Sequence, residues 1–327
     1  MDFRAAFGTV NINKLLNIIL ASKIPKYIKR WLCSYLRGRQ TYVEFRNAKS
    51  TFRKVRAGVP QGGVLSPILF NAYMSGLPTP PDGIKLTSYA DDCTSYASRP
   101  TIPPFCEKLN SYLTTLHEWL EEHDLELSPG KSTATVFTTF SQEVSMSLPI
   151  KIGQHTVPTT KNPKILGVTL DSLHTFNAHS NNTLNKIRKR NSVLKALAGS
   201  SWGKDKELLT TTYKAISRSV VNYAAPIWTP ALRDTHWSKL QAAQNSSLRI
   251  ITGCTKMTHI DELHRETKLL PVKEHNTMLS RQFLLQTHQT NHPNRQWNHT
   301  DPPQRLMKPT LISCHQDSIE PLLTNTE

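Results

Sequence analysis

Between Ile84 and Ala97, two runs of strand-forming residues flank a pair of adjacent carboxylates, Asp91 and Asp92. The runs are Ile84-Lys85-Leu86-Thr87-Ser88-Tyr89-Ala90 and Cys93-Thr94-Ser95-Tyr96-Ala97, rich in Thr, Tyr and Ile as strands are. Neighbouring side chains of a straight strand point to opposite faces. Both carboxylates can therefore share one site only if the backbone reverses there, and the pattern predicts a β-hairpin with Asp91-Asp92 at its tip. Two unpaired carboxylates so close repel, and desolvation sharpens the conflict. A divalent cation relieves it, and an all-oxygen site suits Mg²⁺, with Mn²⁺ as the alternative. An isolated Asp-Asp pair is most often a solvated turn. Here a Gly-rich stretch, Ala57-Gly58-Val59-Pro60-Gln61-Gly62-Gly63-Val64-Leu65-Ser66-Pro67, precedes the hairpin and gives the pair a partner.

The chain has 327 residues and a formal net charge of +16, which points to a polyanionic partner. The charge is unevenly spread. Residues 1–56 hold 13 Lys/Arg against 2 Asp/Glu, residues 57–150 hold 4 against 10, and residues 151–327 hold 23 against 12. An acidic centre between basic flanks fits a metal site inside a phosphate-binding protein. The five cysteines form no C-x-x-C pair, as expected of a reducing compartment. Cys254, His259 and His264 have no fourth ligand at finger-like spacing, which argues against zinc. No apolar run approaches the ~20 residues that span a bilayer, and no signal peptide is visible. The expectation is an intracellular protein without membrane contact.

Apolar periodicity predicts helices over Asn13–Ser22, Lys26–Leu36, Val64–Ser75 and Pro104–His123. A hairpin with a basic polar face is expected from Thr41–Arg46 and Thr51–Val55, and further strands at Thr133–Phe140, Ile150–Ile152 and Ile165–Leu170. From Phe176 the pattern turns helical, with candidates at Phe176–Ala198, Lys204–Ala225, Leu232–Thr252 and Val272–Thr287. The first of these carries Lys186, Arg188, Lys189, Arg190 and Lys195, a run suited to phosphate contact. Beyond Asn291 the chain is rich in Pro, Asn and His and is expected to be disordered.

Five stretches in order carry a family resemblance: Met1-Asp2-Phe3-Arg4-Ala5-Ala6-Phe7, the Gly-rich stretch through Asn71, Ser88–Asp92, Leu127–Ser132 and Lys164–Asp171. They resemble the motifs of a reverse transcriptase, in particular the polymerase of jockey-type non-LTR retrotransposons (LINE elements). The resemblance implies two metal ions roughly 3.5–4 Å apart that promote attack of a primer 3′-hydroxyl. Asp2, Asp91 and Asp92 would hold them. It also implies that Phe7 blocks a ribose 2′-hydroxyl and that Gln61 contacts the incoming nucleotide. Gly58, Gly62 and Gly63 would let the backbone approach a nucleotide or template base. Lys131 would neutralise or protonate the leaving pyrophosphate. Leu166-Gly167-Val168 would grip the primer, and Lys186–Arg190 would line the duplex cleft. Partners implied are an RNA template, a DNA primer and deoxynucleoside triphosphates, in a ribonucleoprotein of nucleus or cytoplasm.

The implied fold is α+β: a palm of antiparallel sheet and packed helices over 1–172, an all-helical thumb over 173–255, a helical extension over 256–290 and a tail over 291–327. The sequence departs from the family in three ways. It begins one residue before Asp2, so the fingers are expected to be missing and the Asp2 strand frayed. Gly8 stands where the family has a second acidic residue, and Gly63 replaces a common Ser. The family's endonuclease region is not in this stretch either. Two function classes stay open: a polymerase, or a truncated remnant that binds RNA or DNA without polymerising. A group II intron maturase or a telomerase-like enzyme would share the chemistry. Leu166–Asp171 followed by Tyr223-Ala224-Ala225-Pro226-Ile227-Trp228 favours the retroelement.

Overall fold

The computed structural model describes residues 1–97, 102–138, 140, 142–199, 203–288 and 315. Two compact units divide the chain: Met1–Val136 with Phe140–Lys161, and Phe137–Thr139 with the chain from Asn162 onward. Among the described residues no helix is long and apolar enough to cross a membrane.

The first unit opens with three helices, α1 (Ala6–Thr9), α2 (Ile12–Ala21) and α3 (Lys26–Leu36). Asn11 caps α2, its side-chain oxygen accepting from Asn13 N at 2.9 Å and Lys14 N at 3.2 Å. Of the apolar face expected on α2, Leu15, Leu16 and Ile19 are buried, while Leu20 stays exposed. Four two-residue strands follow, β1 (Gln40–Thr41), β2 (Glu44–Phe45), β3 (Ala48–Lys49) and β4 (Arg53–Lys54), paired β1 with β4 and β2 with β3. Then come α4 (Ser66–Met74), the hairpin β5 (Lys85–Tyr89) and β6 (Asp92–Tyr96), and α5 (Pro103–Glu122).

Helix α5 buries Cys106, Leu109, Tyr112, Leu113, Leu116 and Leu120, a stripe at helical spacing. That stripe joins Leu15, Leu16, Phe70, Tyr73 and Cys93 in one core, which backs the hairpin with helices. The unit closes with β7 (Lys151–Ile152) paired to β8 (His155–Thr156). The strand expected at Thr133–Phe140 does not form over that length. Among its described residues only Ala134 forms a strand pair, as a parallel bridge to Thr159.

The second unit begins with β9 (Lys164–Ile165) and β10 (Val168–Thr169), paired antiparallel. Helices α6 (Asn177–Leu197), α7 (Lys206–Tyr213), α8 (Ser219–Asn222), α9 (Ala225–Trp228), α10 (Asp234–Thr252), α11 (Ile260–Thr267) and α12 (Val272–Thr287) follow. A π-helical turn, Lys214–Arg218, separates α7 from α8 where the sequence predicts one continuous helix. One buried cluster centres on Trp228, Trp237 and Leu240, a second on Leu194, Tyr213 and Leu248. The tail expected to be disordered lies outside the described residues apart from His315.

Candidate active site

The hairpin register runs from Lys85↔Tyr96 to Tyr89↔Asp92, leaving Ala90 and Asp91 as the turn. Ala90 has φ 53°, the left-handed conformation that the reversal demands. Asp92 is the first residue of β6, and a bridge joins it to Asp2. Directly opposed residues of an antiparallel pair project to the same face, so the backbone register itself brings Asp2 and Asp92 together. Asp91 sits one residue away at the turn.

The Asp2 segment is held from both sides, in contrast to the fraying expected of it. On one side the Met1 nitrogen donates to Cys93 O at 2.7 Å, and Cys93 N donates to Met1 O at 3.2 Å. On the other, Asp2 N donates to Ser132 Oγ at 3.2 Å and Ser128 N donates to Asp2 O at 2.8 Å. Phe3 then bridges to Leu127. The result is a small antiparallel array of β5, β6, the Asp2 segment and the Leu127 segment.

Lys131 follows on the turn made by Ser128, and its Nζ lies 3.6 Å from Asp2 Oδ2. Behind the array, burial pushes the Cys93 thiol up to about 11; the Met1 amino group opposes the rise, and the charges of Asp92 and Asp91 add to it. Both hairpin carboxylates thus bear on one buried residue. Their oxygens are the donors a hard divalent cation takes. Among the described residues, no three acidic, His or Cys side chains converge closely enough to hold an ion.

The Gly-rich stretch splits into a packed half and an open half. Gly58 is buried with φ 84°, and a Cβ there would lie 2.8 Å from the carbonyl oxygens of Phe7 and Gly8. Its N–H donates to Val10 O at 2.8 Å, Val59 N donates to Phe7 O at 2.8 Å, and the Arg39 guanidinium donates to Gly58 O. The close approach expected at Gly58 is therefore made to the chain's own α1 backbone. Gln61 and Gly62 are exposed, and a Cβ on Gly62 (φ 81°) would meet nothing within 4 Å. Ser66 Oγ donates to Pro60 O and Gly63 N to the same oxygen at 3.2 Å, which fixes the exit into α4. Phe7 is half-buried on α1, stacked on Phe70 with ring centroids 4.7 Å apart.

In the second unit, Leu166 (φ 45°) and Gly167 (φ 86°) form the turn between β9 and β10. The single strand expected over Ile165–Leu170 is thus a tight hairpin. Two consecutive positive φ values are the signature of a type I′ turn. Tyr223 OH donates to Leu166 O at 2.5 Å, and its ring would touch any Cβ on Gly167 at 3.2 Å. On α6, Lys186, Arg188 and Lys189 are exposed. Arg190 is half-buried and donates to Ile216 O of the π-helical turn, so its charge is spent within the unit.

The residues that sequence reasoning misses are partners rather than chemical groups. In the sequence Arg39 is one member of a basic run, and Ser132 is the end of the Leu127–Ser132 stretch. Their partners Gly58 and Asp2 lie 19 and 130 residues away, beyond any local periodicity.

Residues 1–170 match the family model for reverse transcriptase (RNA-dependent DNA polymerase). The chain belongs to the reverse transcriptase family, and its relatives mark it as jockey-like, of the non-LTR kind. It is 31% identical over 318 residues to the probable RNA-directed DNA polymerase from transposon X-element of Drosophila melanogaster, covering 94% of this chain and 34% of the relative. The probable RNA-directed DNA polymerase from transposon BS of the same species is 31% identical over 256 residues, 74% of this chain and 27% of the relative. The RNA-directed DNA polymerase from mobile element jockey, also from that fly, is 24% identical over 243 residues, 72% of this chain and 26% of the relative. The chain thus spans between about a quarter and a third of the length of these relatives. Family membership implies a polymerase palm fold, with which the small antiparallel sheets and packed helices of the first unit agree.

Proposed function

We propose that the chain acts as an RNA-directed DNA polymerase that extends a primer 3′-hydroxyl with deoxynucleoside triphosphates. The observation that carries this reading is the bridge setting Asp2 opposite Asp92, with Asp91 at the adjoining turn. Asp2, Asp91 and Asp92 are the residues that would ligate the family's divalent ions, Mg²⁺ or alternatively Mn²⁺, once their side chains converge, which they do not do here. When bound, the ions would activate the hydroxyl and offset charge on the phosphate. The chain's own groups do the rest. Lys131, already drawn to Asp2, supplies positive charge or a proton to the departing pyrophosphate. Phe7, stiffened by Phe70, stands against the sugar. Gln61 and Gly62 offer an open backbone and amide to the nucleotide.

Residues 1–172 serve as palm and 173–255 as thumb; that the chain divides into two compact units supports a two-part reading, with the border at Asn162 and β9 and β10 in the second unit. The exposed Lys186, Arg188 and Lys189 bind phosphates of template and primer.

A second reading is a chain that binds nucleic acid without polymerising. It is favoured by the Lys131–Asp2 pair, an ammonium 3.6 Å from the carboxylate that a metal ion would need. One experiment decides. Extension of a DNA primer on an RNA template with Mg²⁺ is compared with the Asp91→Ala/Asp92→Ala variant. Extension that the variant abolishes supports the polymerase. Template–primer binding with no extension by the wild-type chain selects the second reading.

A further inference from the structure

Every residue from Gln40 to Lys54 is exposed. The four short strands pair only with one another, so the segment is an arm and not part of the core. An isolated hairpin is marginal in water, yet this one keeps three aromatic rings in solvent: Tyr42 at 40% exposure, Phe45 at 70% and Phe52 at 68%. The rings are ordered by each other and by cations. Tyr42 and Phe52 meet edge to face at 5.0 Å, Lys49 Nζ lies 5.6 Å from the Tyr42 ring and the Arg46 guanidinium 5.4 Å from that of Phe45. From Arg37 to Arg56 the chain carries seven Lys/Arg against one acidic residue, Glu44.

We propose that this arm is a docking site for single-stranded polynucleotide, whose bases stack on Tyr42, Phe45 and Phe52 while its phosphates lie along the basic side chains. Charge complementarity selects a polyanion and opposes a second copy of the arm. Register opposes edge-to-edge pairing as well. Between the pairs Thr41↔Arg53 and Glu44↔Lys49, one side of the arm has two residues and the other three. That count is a β-bulge, which twists an edge away from partners. Rings with a free face take up unpaired bases, and each such stack contributes about 1–3 kcal/mol; bases inside a duplex are closed to them.

The basic path continues at the root of the arm, into a cavity of about 360 Å³ lined by Arg37, Val55, Arg56 and Asn11 among others. The carboxylate in its wall, Asp124, accepts from Lys14 Nζ and from Asn11 Nδ2, both at 2.9 Å. That charge is therefore already compensated. The arm deepens the polymerase reading by giving template beyond the carboxylates a seat of its own.

Fluorescence anisotropy of a labelled single-stranded RNA 15-mer on the full chain tests this. It compares wild type with Tyr42→Ser/Phe45→Ser/Phe52→Ser and with Arg46→Ser/Lys49→Ser/Arg53→Ser. None of these side chains enters the core, and circular dichroism verifies the fold. The ring variant is expected to bind at least tenfold more weakly with an unchanged salt slope. The charge variant is expected to lower that slope by roughly 2, since each phosphate neutralised on a single strand adds about 0.7 to it.

Three results overturn the proposal: no binding by wild type, affinities of both variants within twofold of wild type, or a ring variant that turns a dimer into a monomer without losing RNA. The Asp91→Ala/Asp92→Ala chain separates this inference from the polymerase reading. Ring-dependent binding by a wild type that cannot extend a primer sinks the polymerase and leaves the arm. Extension with ring-independent binding does the reverse.

Discussion

Two glycines four residues apart answer the same substitution differently. Gly58→Ala forces an L side chain into a left-handed backbone, costing about 1–2 kcal/mol, and drives its Cβ against the Phe7 and Gly8 carbonyls at 2.8 Å. Overpacking adds roughly 1–3 kcal/mol. Gly62→Ala meets open space, so only the backbone cost remains. Urea unfolding should show Gly58→Ala losing about 1–3 kcal/mol more than Gly62→Ala; equal losses would mean that the packed contact with α1 is wrong. Lys131→Met should behave in the opposite way. Its pair with Asp2 is solvent-exposed on the lysine side, and such pairs are worth about 0–1 kcal/mol. Stability should hardly change while primer extension slows, and unchanged extension removes Lys131 from the chemistry. Sequence alone locates these residues and their chemical type. It does not say that Gly58 faces its own chain and Gly62 faces outward, because that distinction rests on which atoms lie nearby.

Among the elements, helices and hairpins are legible to different depths. Helix α12 spans Val272–Thr287 as its periodicity predicts, and α3 spans Lys26–Leu36 likewise. Each has Pro immediately before it, a signal contained within the element itself, although the face α12 buries is mixed, Val272 and Leu284 with Asn276, Ser280 and Thr287. The Ile165–Leu170 run misleads because apolar residues on both sides of Leu166-Gly167 resemble one buried strand. A glycine inside a strand pattern is the cue for a break. The Leu-Gly turn is also a poor type I′ sequence, since Asn-Gly is favoured there. Leu166→Asn should therefore raise the thermal midpoint of the second unit, by relieving part of the roughly 1–2 kcal/mol that the left-handed conformation costs an ordinary L residue. The Tyr223 hydrogen bond goes to backbone and survives the change. A lowered midpoint would show that the exposed Leu166 side chain matters more than the turn it occupies.

Over the whole molecule, acid should act on the second unit through histidines. His179 Nδ1 accepts from Thr169 N at 3.1 Å, and the His275 Nε2 lies 3.1 Å from the Asn222 amide nitrogen, its donor. Protonating either ring converts the acceptor into a donor and loses the bond. Burial, helped by Lys186 at His179 and by Arg218 at His275, holds both below their ordinary value of 6.5. The unfolded chain therefore takes up protons first as pH falls. The stabilisation is complete above about 6.5 and is lost progressively below it. Thermal melts at pH 7.5 and 5.5 should show that loss, and a His179→Gln/His275→Gln variant should show a flatter dependence. A variant with the wild-type slope would assign the effect elsewhere. The Asp2 clamp has a consequence in time. Its ties run to Cys93, Ser128 and Ser132, so no folding confined to the neighbourhood of Asp2 can set that carboxylate in place. Closing such long loops is slow relative to forming helices. A nascent chain still on the ribosome cannot complete the clamp on Asp2 until residue 132 has emerged and packed. Asp2 is made long before its partners, yet it becomes part of an acidic centre only when the last of them arrives.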